Sequence, residues 1–442
     1  MSPSAKTTVP TPCNPPSREV RTLPALRWVC PDPTGPLTVL WGGTPLLLGR
    51  DSSCQVVLEG HQVSRRHAEL RQESGAWVVR DLGSRNGIHL DGARVNEGRL
   101  TPGCLLRLGE WVAVMTCVRS DQLEAEAFHE IVPGIWAGPI MVAALEPLRR
   151  AAATAVPIVI EGETGTGKDG LAKAIHQWSG RKGSLVSVNC AAIPANLAEG
   201  ELFGYRRGAF TGAERSHDGF LQAASRGTLF LDEVVELPLD LQPKLLRAIE
   251  QQEVTPLGES RPISLDFRLV AAVQEPLAAA VAGKRFRPDL HARLDGVTLQ
   301  VPPLRQRIEE IPFLFGKLLK KHMGAAPLPA LDPLLIESLC RYSWPYNVRE
   351  LDRLAQNLVA LHAHEPILRP SHLPERLSSG VPASAQDPVG KPDAQTIMQV
   401  LGEEGGNIRR AANRLLLSRQ QLYRMLEAIP GFDLENLRNR NR

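Results

Sequence analysis

The 442-residue sequence has few aromatic residues (5%) and little charge imbalance, with a formal net charge of +3. So small an excess points to neither a nucleic acid nor an acidic partner and leaves that question to local patterns. Cysteines are sparse: Cys13, Cys30, Cys54, Cys104, Cys117, Cys190 and Cys340 stand singly, with no CxxC pair. This odd, unpatterned set argues against a disulfide framework and a zinc site, and the 11 histidines form neither HExxH nor a Cys/His cluster. Long apolar runs are also missing. The most apolar stretch, residues 151–160, is far shorter than a bilayer span, and no charged-then-apolar signal peptide opens the chain. A cytoplasmic protein with no membrane partner is expected.

What remains is ordinary globular composition, 43% hydrophobic and 22% charged, with room for roughly three domains at about 150 residues each. Residues 1–22 are rich in Pro, Ser and Thr and read as a flexible tail. Over residues 23–120 short alternating segments (WVVRDL, RVNEGRL, LLRLGEWVAVMTC) separated by Gly, Asn and Asp turns predict an all-β sandwich. Strands and helices alternate over 130–375, predicting an α/β parallel-sheet core with a helical end piece at about 305–375. Residues 376–392 read as a linker, and 393–442 as short helices of an all-α domain.

Within the sandwich, Gly49-Arg50, Ser64-Arg65-Arg66-His67 and Gly83-Ser84-Arg85-Asn86-Gly87 each fall at the end of an expected strand. Arg50 and Arg65 offer forked, charge-assisted donors, and Ser64, Ser84 and Asn86 add neutral ones, a set suited to a phosphate and its peptide backbone. Any one of these elements alone is equally a surface ion-pair loop or an Asn-Gly hairpin turn. In this order they resemble a forkhead-associated (FHA) domain. The resemblance implies that Arg50, Ser64, Arg65 and Asn86 hold a phosphothreonine peptide, with His67 bracing the loop.

In the α/β region, Ile158-Val159-Ile160 precedes Gly162-Glu163-Thr164-Gly165-Thr166-Gly167-Lys168-Asp169 and a helical stretch from Leu171 to Gln177. Strand, glycine-rich loop and helix in that order are the context a P-loop needs: backbone N–H groups converge on phosphate oxygens and Lys168 reaches the terminal phosphates. Asp169 stands where the general motif has Ser or Thr. A second apolar strand, Gly227–Leu231, ends in Asp232-Glu233. Asp232 suits Mg2+ binding, direct or through water, and Glu233 suits activation of an attacking water. The pair predicts an ATP or GTP hydrolase.

Between these motifs lies Glu201-Leu202-Phe203-Gly204, followed by Gly208-Ala209-Phe210-Thr211-Gly212-Ala213. A Gly-flanked Phe-Thr is either an exposed loop tip or a hairpin with its Phe folded back. The ELFG and GAFTGA sequences resemble the AAA+ activators of sigma-54 RNA polymerase, the bacterial enhancer-binding proteins. That resemblance implies contact of the 208–213 loop with sigma-54, Phe210 and Thr211 forming its tip. It also implies a switch role for Asn189 against Glu233, arginine fingers at Arg287 and Arg293, a sensor arginine at Arg349, and a nucleotide sensor at Gln274. Fingers act on a neighbour's nucleotide, so self-assembly into a ring, a hexamer, is implied. Four positions depart from the family pattern: Val273 and Gln274, in Ala272-Val273-Gln274 where the family has Ala-Thr-Asn, Asp169 in place of Glu, and Tyr346 in place of Gly.

From Asn407 to Arg424 the chain has five arginines and no acidic residue, and Ser418 can cap a helix that begins Arg419-Gln420-Gln421. The stretch resembles a Fis-type helix-turn-helix, with Arg419, Gln420, Gln421 and Arg424 toward DNA. A basic dimerisation bundle is the alternative. The expectation is therefore an ATP-dependent activator that uses ATP and Mg2+. Its partners would be upstream enhancer DNA, the sigma-54 RNA polymerase holoenzyme, and a phosphothreonine-containing protein or Ser/Thr kinase. The alternative is a DNA-bound phosphopeptide adaptor or repressor with a weakened ATPase.

Overall fold

The computed structural model describes residues 22–40, 44–119 and 128–378, together with Leu426. Most of the expected tail and linker, and the residues expected to contact DNA (Arg419, Gln420, Gln421 and Arg424), lie outside the described residues. The expected linker does not begin at 376: residues 376–378 continue a short helix, Glu375–Ser378, whose Leu377 is buried against the helical end piece. Everything described up to Ser378 belongs to one compact unit.

The N-terminal part is a two-sheet sandwich of strands β1 (Thr22–Cys30), β2 (Leu37–Val39), β3 (Leu46–Gly49), β4 (Val56–Val57), β5 (Ala68–Glu73), β6 (Ala76–Asp81), β7 (Ile88–Leu90), β8 (Ala93–Val95), β9 (Glu97–Leu100), β10 (Leu105–Leu108) and β11 (Trp111–Arg119). One sheet has the order β2-β1-β11-β10-β7-β8 and the other β4-β3-β5-β6-β9. Inward-facing side chains at alternate positions (Leu26, Trp28, Leu70, Val79, Leu106, Leu108) fill the space between them. Trp28 is fully buried, and its indole N–H is satisfied by the Thr38 hydroxyl at 3.0 Å.

β11 breaks the expected alternation. Val112, Ala113, Val114 and Met115 are all buried. Ala113 and Met115 enter the sandwich core, whereas Val112 and Val114 join Val29, Cys30 and Leu105 against the helical end piece. A strand apolar on both faces has to be covered on both, so this sheet is sandwiched between its partner sheet and a helical layer.

A hairpin, β12 (His129–Val132) and β13 (Ile135–Ala137), leads through helix α1 (Pro139–Ala152) into the α/β core. There the strands β14 (Ile158–Glu161), β15 (Leu185–Asn189), β16 (Thr228–Asp232), β19 (Arg268–Val273) and β20 (Val297–Gln300) form a parallel sheet of order β15-β16-β19-β14-β20. A short ribbon, β17 (Glu253–Val254) with β18 (Ile263–Ser264), interrupts the sequence order. Alternation divides the sheet's two faces: Ile158, Ile160, Phe230, Val270 and Ala272 pack with α1 and α2 (Lys168–Ser179). Val159, Leu229, Leu231 and Ala271 pack with α3 (Ala195–Phe203), α5 (Gln242–Gln251) and α7 (Pro288–Leu294), beside the short helices α4 (Gly219–Ala223) and α6 (Leu277–Ala282). The helical end piece, or lid, comprises α8 (Ile311–Met323), α9 (Pro333–Arg341) and α10 (Asn347–His362) around the fully buried Trp344. No helix among the described residues is long and apolar enough to cross a membrane.

Candidate functional site

The P-loop leaves β14, Asp232 closes β16 and Gln274 follows β19, so all three lie at the carboxyl ends of adjacent parallel strands, where open α/β sheets form their ligand crevice. A cavity of about 370 Å3 there is bounded by Thr164, Lys168, Asp169, Asp232, Glu233 and Arg349. Gly165 and Gly167 take left-handed φ values of +78° and +100°, which aim the loop's backbone inward at no steric cost. Lys168 is buried; its ammonium donates to the Gly162 and Glu163 carbonyls at 2.7 and 3.2 Å, and burial lowers its pKa. The Asp232 carboxyl is raised by burial first and by the neighbouring Asp169 second. Among the described residues no group of three or more His, Cys, Asp or Glu side chains could hold a metal ion alone; Asp232 and Asp169 have the chemistry to share a divalent cation with phosphate oxygens and water.

A second cavity of about 480 Å3 adjoins Thr166 and Gly167 and is walled by Ile131, Ile135, Trp136, Met141, Leu314 and Leu318. None of these residues carries a motif in the sequence; they come from the β12–β13 hairpin, α1 and the lid. A mainly apolar slot against a P-loop has the character of a site for a planar base.

The lid grips the P-loop from outside. Arg305 forms a two-pronged ion pair with Glu163 at 2.8 and 2.6 Å, and this hydrogen bonding, with Asn347 adding to it, pulls the Glu163 carboxyl down to about 2. The fully buried Asn347 donates to Glu163 at 3.2 Å and to the Thr164 carbonyl at 3.0 Å, while accepting from the Leu304 N–H at 2.7 Å. The Arg349 N–H donates to the Gly165 carbonyl at 3.2 Å, and a Cβ on Gly165 would lie 2.2 Å from the Tyr346 carbonyl oxygen. Tyr346 itself is 60% exposed, so its side chain at a glycine position costs the P-loop contact nothing.

Asn189 differs from expectation. Its side-chain oxygen caps the turn at Cys190–Ala192, accepting from the Ala191 and Ala192 N–H groups at 2.9 and 3.2 Å. It lines the cavity beside Glu233, yet the side chain that bonds the Glu233 carboxylate is Gln274. The extra methylene of glutamine over asparagine supplies the reach. Arg287 and Arg293 are exposed and line neither cavity described above. Arg287, which precedes α7, pairs with Asp289 of that helix at 2.7 Å, and its backbone N–H is held by the fully buried Gln242 at 2.9 Å, a support not evident from sequence.

The 208–213 loop is a self-closed hairpin. The Gly208 N–H donates to the Ala213 carbonyl at 2.9 Å, and the Ala213 N–H to the Phe210 carbonyl at 3.0 Å. Gly208 and Gly212 have φ values of +84° and +100°, so both need glycine. Phe210 is 45% exposed and leans edge-on against Tyr205, ring centroids 5.0 Å apart. Thr211 is exposed at the tip.

At the sandwich rim, Arg50, Arg65 and Asn86 are exposed and lie on converging loops: the Arg50 N–H meets the Ser64 carbonyl at 3.1 Å, and Asn86 donates to the Gln62 carbonyl at 2.7 Å. A Cβ at position 49 would lie 2.1 Å from the Arg65 carbonyl oxygen, so glycine permits this approach. The Ser64 hydroxyl accepts from the Arg85 N–H at 3.1 Å. His67 is fully buried, its ring nitrogens engaging the Ser64 N–H and the Gly87 carbonyl, each at 3.1 Å. Ser84 departs from expectation: it is buried, and its hydroxyl accepts from the Gly87 N–H at 2.9 Å. It shapes the Asn-Gly turn and offers no exposed donor to a peptide.

Comparison with known proteins places these elements in order. The FHA domain matches residues 46–109, the sigma-54 interaction domain 135–300, the AAA+ ATPase lid domain 305–388, and the Fis family of bacterial regulatory proteins 393–428. The chain is 38% identical over 312 residues to the C4-dicarboxylate transport transcriptional regulatory protein DctD of Rhizobium meliloti, spanning 70% of this chain and 67% of that protein. It is 38% identical over 337 residues to the response regulator protein PilR of Pseudomonas aeruginosa, spanning 73% and 75%. Among solved structures, NtrX from Brucella abortus is 29% identical and aligns over 65% of this chain and 67% of its own, with a TM-score of 0.50. The chain belongs to the sigma-54-dependent transcriptional regulators, joining an FHA domain to an AAA+ core and a Fis-type helix-turn-helix.

Proposed function

We propose that the chain is an activator that hydrolyses ATP to remodel the sigma-54 polymerase closed complex at promoters, under control of phosphothreonine recognition by its FHA domain. The observation that carries this reading is the convergence of Lys168, Asp232, Glu233 and Arg349 on one cavity, in the domain that also presents Phe210 and Thr211 on a glycine-hinged hairpin. Lys168 and the loop N–H groups would bind the phosphates of ATP, and Arg349 would add positive charge from the lid. Asp232, with Asp169 beside it, would hold Mg2+, whose chemistry is to offset charge on the phosphate oxygens. Glu233 would orient and deprotonate the attacking water. Arg287 and Arg293, exposed and outside the lining of their own cavity, would complete the site of a neighbouring copy in a ring. Residues 393–442, with Arg419, Gln420, Gln421 and Arg424 toward the bases, would tether that ring to upstream DNA.

Permanganate reactivity of a sigma-54 promoter tests the reading. Full-length protein with ATP is expected to open the promoter, and Thr211→Ala to abolish opening while retaining ATP turnover. Sound binding of DNA and ATP without opening in the unmodified protein would refute the activator and favour the adaptor.

A further inference from the structure

The face of the β1-β11-β10 sheet that points away from the sandwich core has no counterpart in the expectations drawn from sequence. Leu105, Val112 and Val114 are buried there against Phe313, Leu335 and Leu339 of the lid, in one continuous apolar cluster. Two polar contacts fix its register. Arg107 on β10 pairs with Glu337 on α9 at 2.8 Å, both side chains buried. The Thr116 hydroxyl on β11 donates to Glu309 at 3.3 Å, and Glu309 is itself buried. A buried ion pair tolerates little sliding, since separation strands two desolvated charges.

Glu309 belongs to a segment that also reaches the nucleotide loop. Arg305 holds Glu163; Arg307 reaches the Thr166 carbonyl at 3.5 Å and Glu310 at 3.3 Å; Glu310 accepts from the Met141 N–H at 3.4 Å. Within six residues the chain passes from contact with the P-loop to contact with the FHA domain. The phosphopeptide rim, at Arg50, Arg65 and Asn86, is exposed and takes no part in this docking face.

We infer that the FHA domain is carried on the ATPase lid through this surface, and that residues 305–310 couple occupancy of the P-loop to the FHA domain. The inference rests on the P-loop being a nucleotide site. It assigns the interface a definite partner, the α8–α9 face of the lid, and a consequence: nucleotide binding alters the FHA docking strands. Coupling of this kind is reciprocal. A ligand on the rim that favours one lid arrangement would change nucleotide affinity by the same factor.

The test is amide hydrogen exchange of the full chain with and without a non-hydrolysable ATP analogue, binding being verified separately by fluorescence titration. Saturation is expected to change exchange over residues 105–116 and 335–340 by about fivefold or more, leaving strands β5 and β6 of the far sheet unchanged. Arg107→Glu, which sets two carboxylates face to face, is expected to abolish that response while the analogue still binds, and adding Glu337→Arg to restore it. Glu309→Gln, a milder change that keeps the fold, is expected to weaken it. Analogue binding that leaves residues 105–116 unaltered in the unmodified chain overturns the coupling and spares the ATPase reading. Absence of analogue binding overturns both.

Discussion

Replacement of Asn347 gives the sharpest test of how the lid holds the P-loop. Its side chain makes three contacts from a fully buried position: two donations, to Glu163 and the Thr164 carbonyl, and one acceptance from the Leu304 N–H. In Asn347→Ala the buried Leu304 N–H loses its partner, at a cost of about 1–3 kcal/mol, and the Thr164 carbonyl loses a bond worth about 1 kcal/mol. Asn347 also has a φ of +50°, and alanine there adds about 1 kcal/mol that asparagine largely escapes. The expected loss is about 3–5 kcal/mol of lid–P-loop association, and each 1.4 kcal/mol that falls on nucleotide binding weakens it about tenfold. Asn347→Gly removes the backbone term and should recover about 1 kcal/mol relative to alanine. Asn347→Asp keeps an acceptor for Leu304 but turns a carboxylate toward Glu163 and the Thr164 carbonyl, and should be at least as damaging as alanine. The assays are KM for ATP and urea denaturation followed by tryptophan fluorescence, Trp344 being buried three positions away. An alanine variant with unchanged KM and an unchanged urea midpoint would refute the latch, as would an aspartate variant milder than alanine.

Three further outcomes follow from named contacts. Gln274→Asn is too short to hold Glu233, and ATP turnover should rise several-fold at unchanged KM; identical turnover would remove the restraint argued for Gln274. Arg50→Ala should weaken binding of a phosphothreonine peptide mixture by about tenfold or more without shifting the melting curve, because Arg50 is exposed; equal affinity would exclude Arg50 from the site. His89 is pushed by burial, and then by Arg107 and Arg94, from 6.5 down to about 4. The unfolded chain therefore binds the proton more tightly, so this group's contribution to stability is complete above pH 6.5 and is lost as pH falls from there toward 4. Glu310, raised by burial from 4.5 to about 7, acts oppositely, its contribution fading as pH rises through that interval. Melting of wild type against His89→Gln between pH 4 and 7 isolates the histidine, and parallel curves would contradict the assignment.

Legibility in the sequence followed the length of chain each function needs. The P-loop, the Asp232-Glu233 strand end and the 208–213 hairpin are contiguous, because their chemistry depends on backbone turns and adjacent side chains. Contacts that depend on side-chain reach between distant segments were not legible. Glu163 and Arg305 are 142 positions apart, and nothing local marks them as partners. Asn189 closes β15 and Gln274 follows β19 of the same sheet, and which amide meets Glu233 is decided by one methylene and a competing turn. The place of Ser84 was not legible because a hydroxyl beside an Asn-Gly turn serves equally as ligand or as cap, and its burial is set by the fold. The docking face did leave a signal: the run Val112-Ala113-Val114-Met115 does not alternate, which already called for cover on both faces of β11.

The choice between activator and adaptor turns on whether the Gln274 departure disables the ATPase or tunes it. A disabled site would tolerate loss elsewhere, yet Lys168, Asp232 and Arg349 still meet at one cavity and Asn347 still closes the lid on the loop. Gln274 keeps the amide that asparagine would supply and moves it outward by one bond, where it engages Glu233. That hydrogen bond would oppose the work proposed for the carboxylate as a base, and would be given up if a bound phosphate offered the amide a better partner. The hairpin argues likewise: a scaffold has no use for a tip with Phe210 half-exposed over Tyr205 between two glycines in left-handed conformations. Such a loop can lift Phe210 off Tyr205 for the modest cost of one edge-on aromatic contact, about 1 kcal/mol, well within what a restrained but intact hydrolysis cycle supplies. The proposal is therefore of a slow motor and not a silent one, and a measurable basal turnover that Gln274→Asn accelerates is the signature that would separate the two.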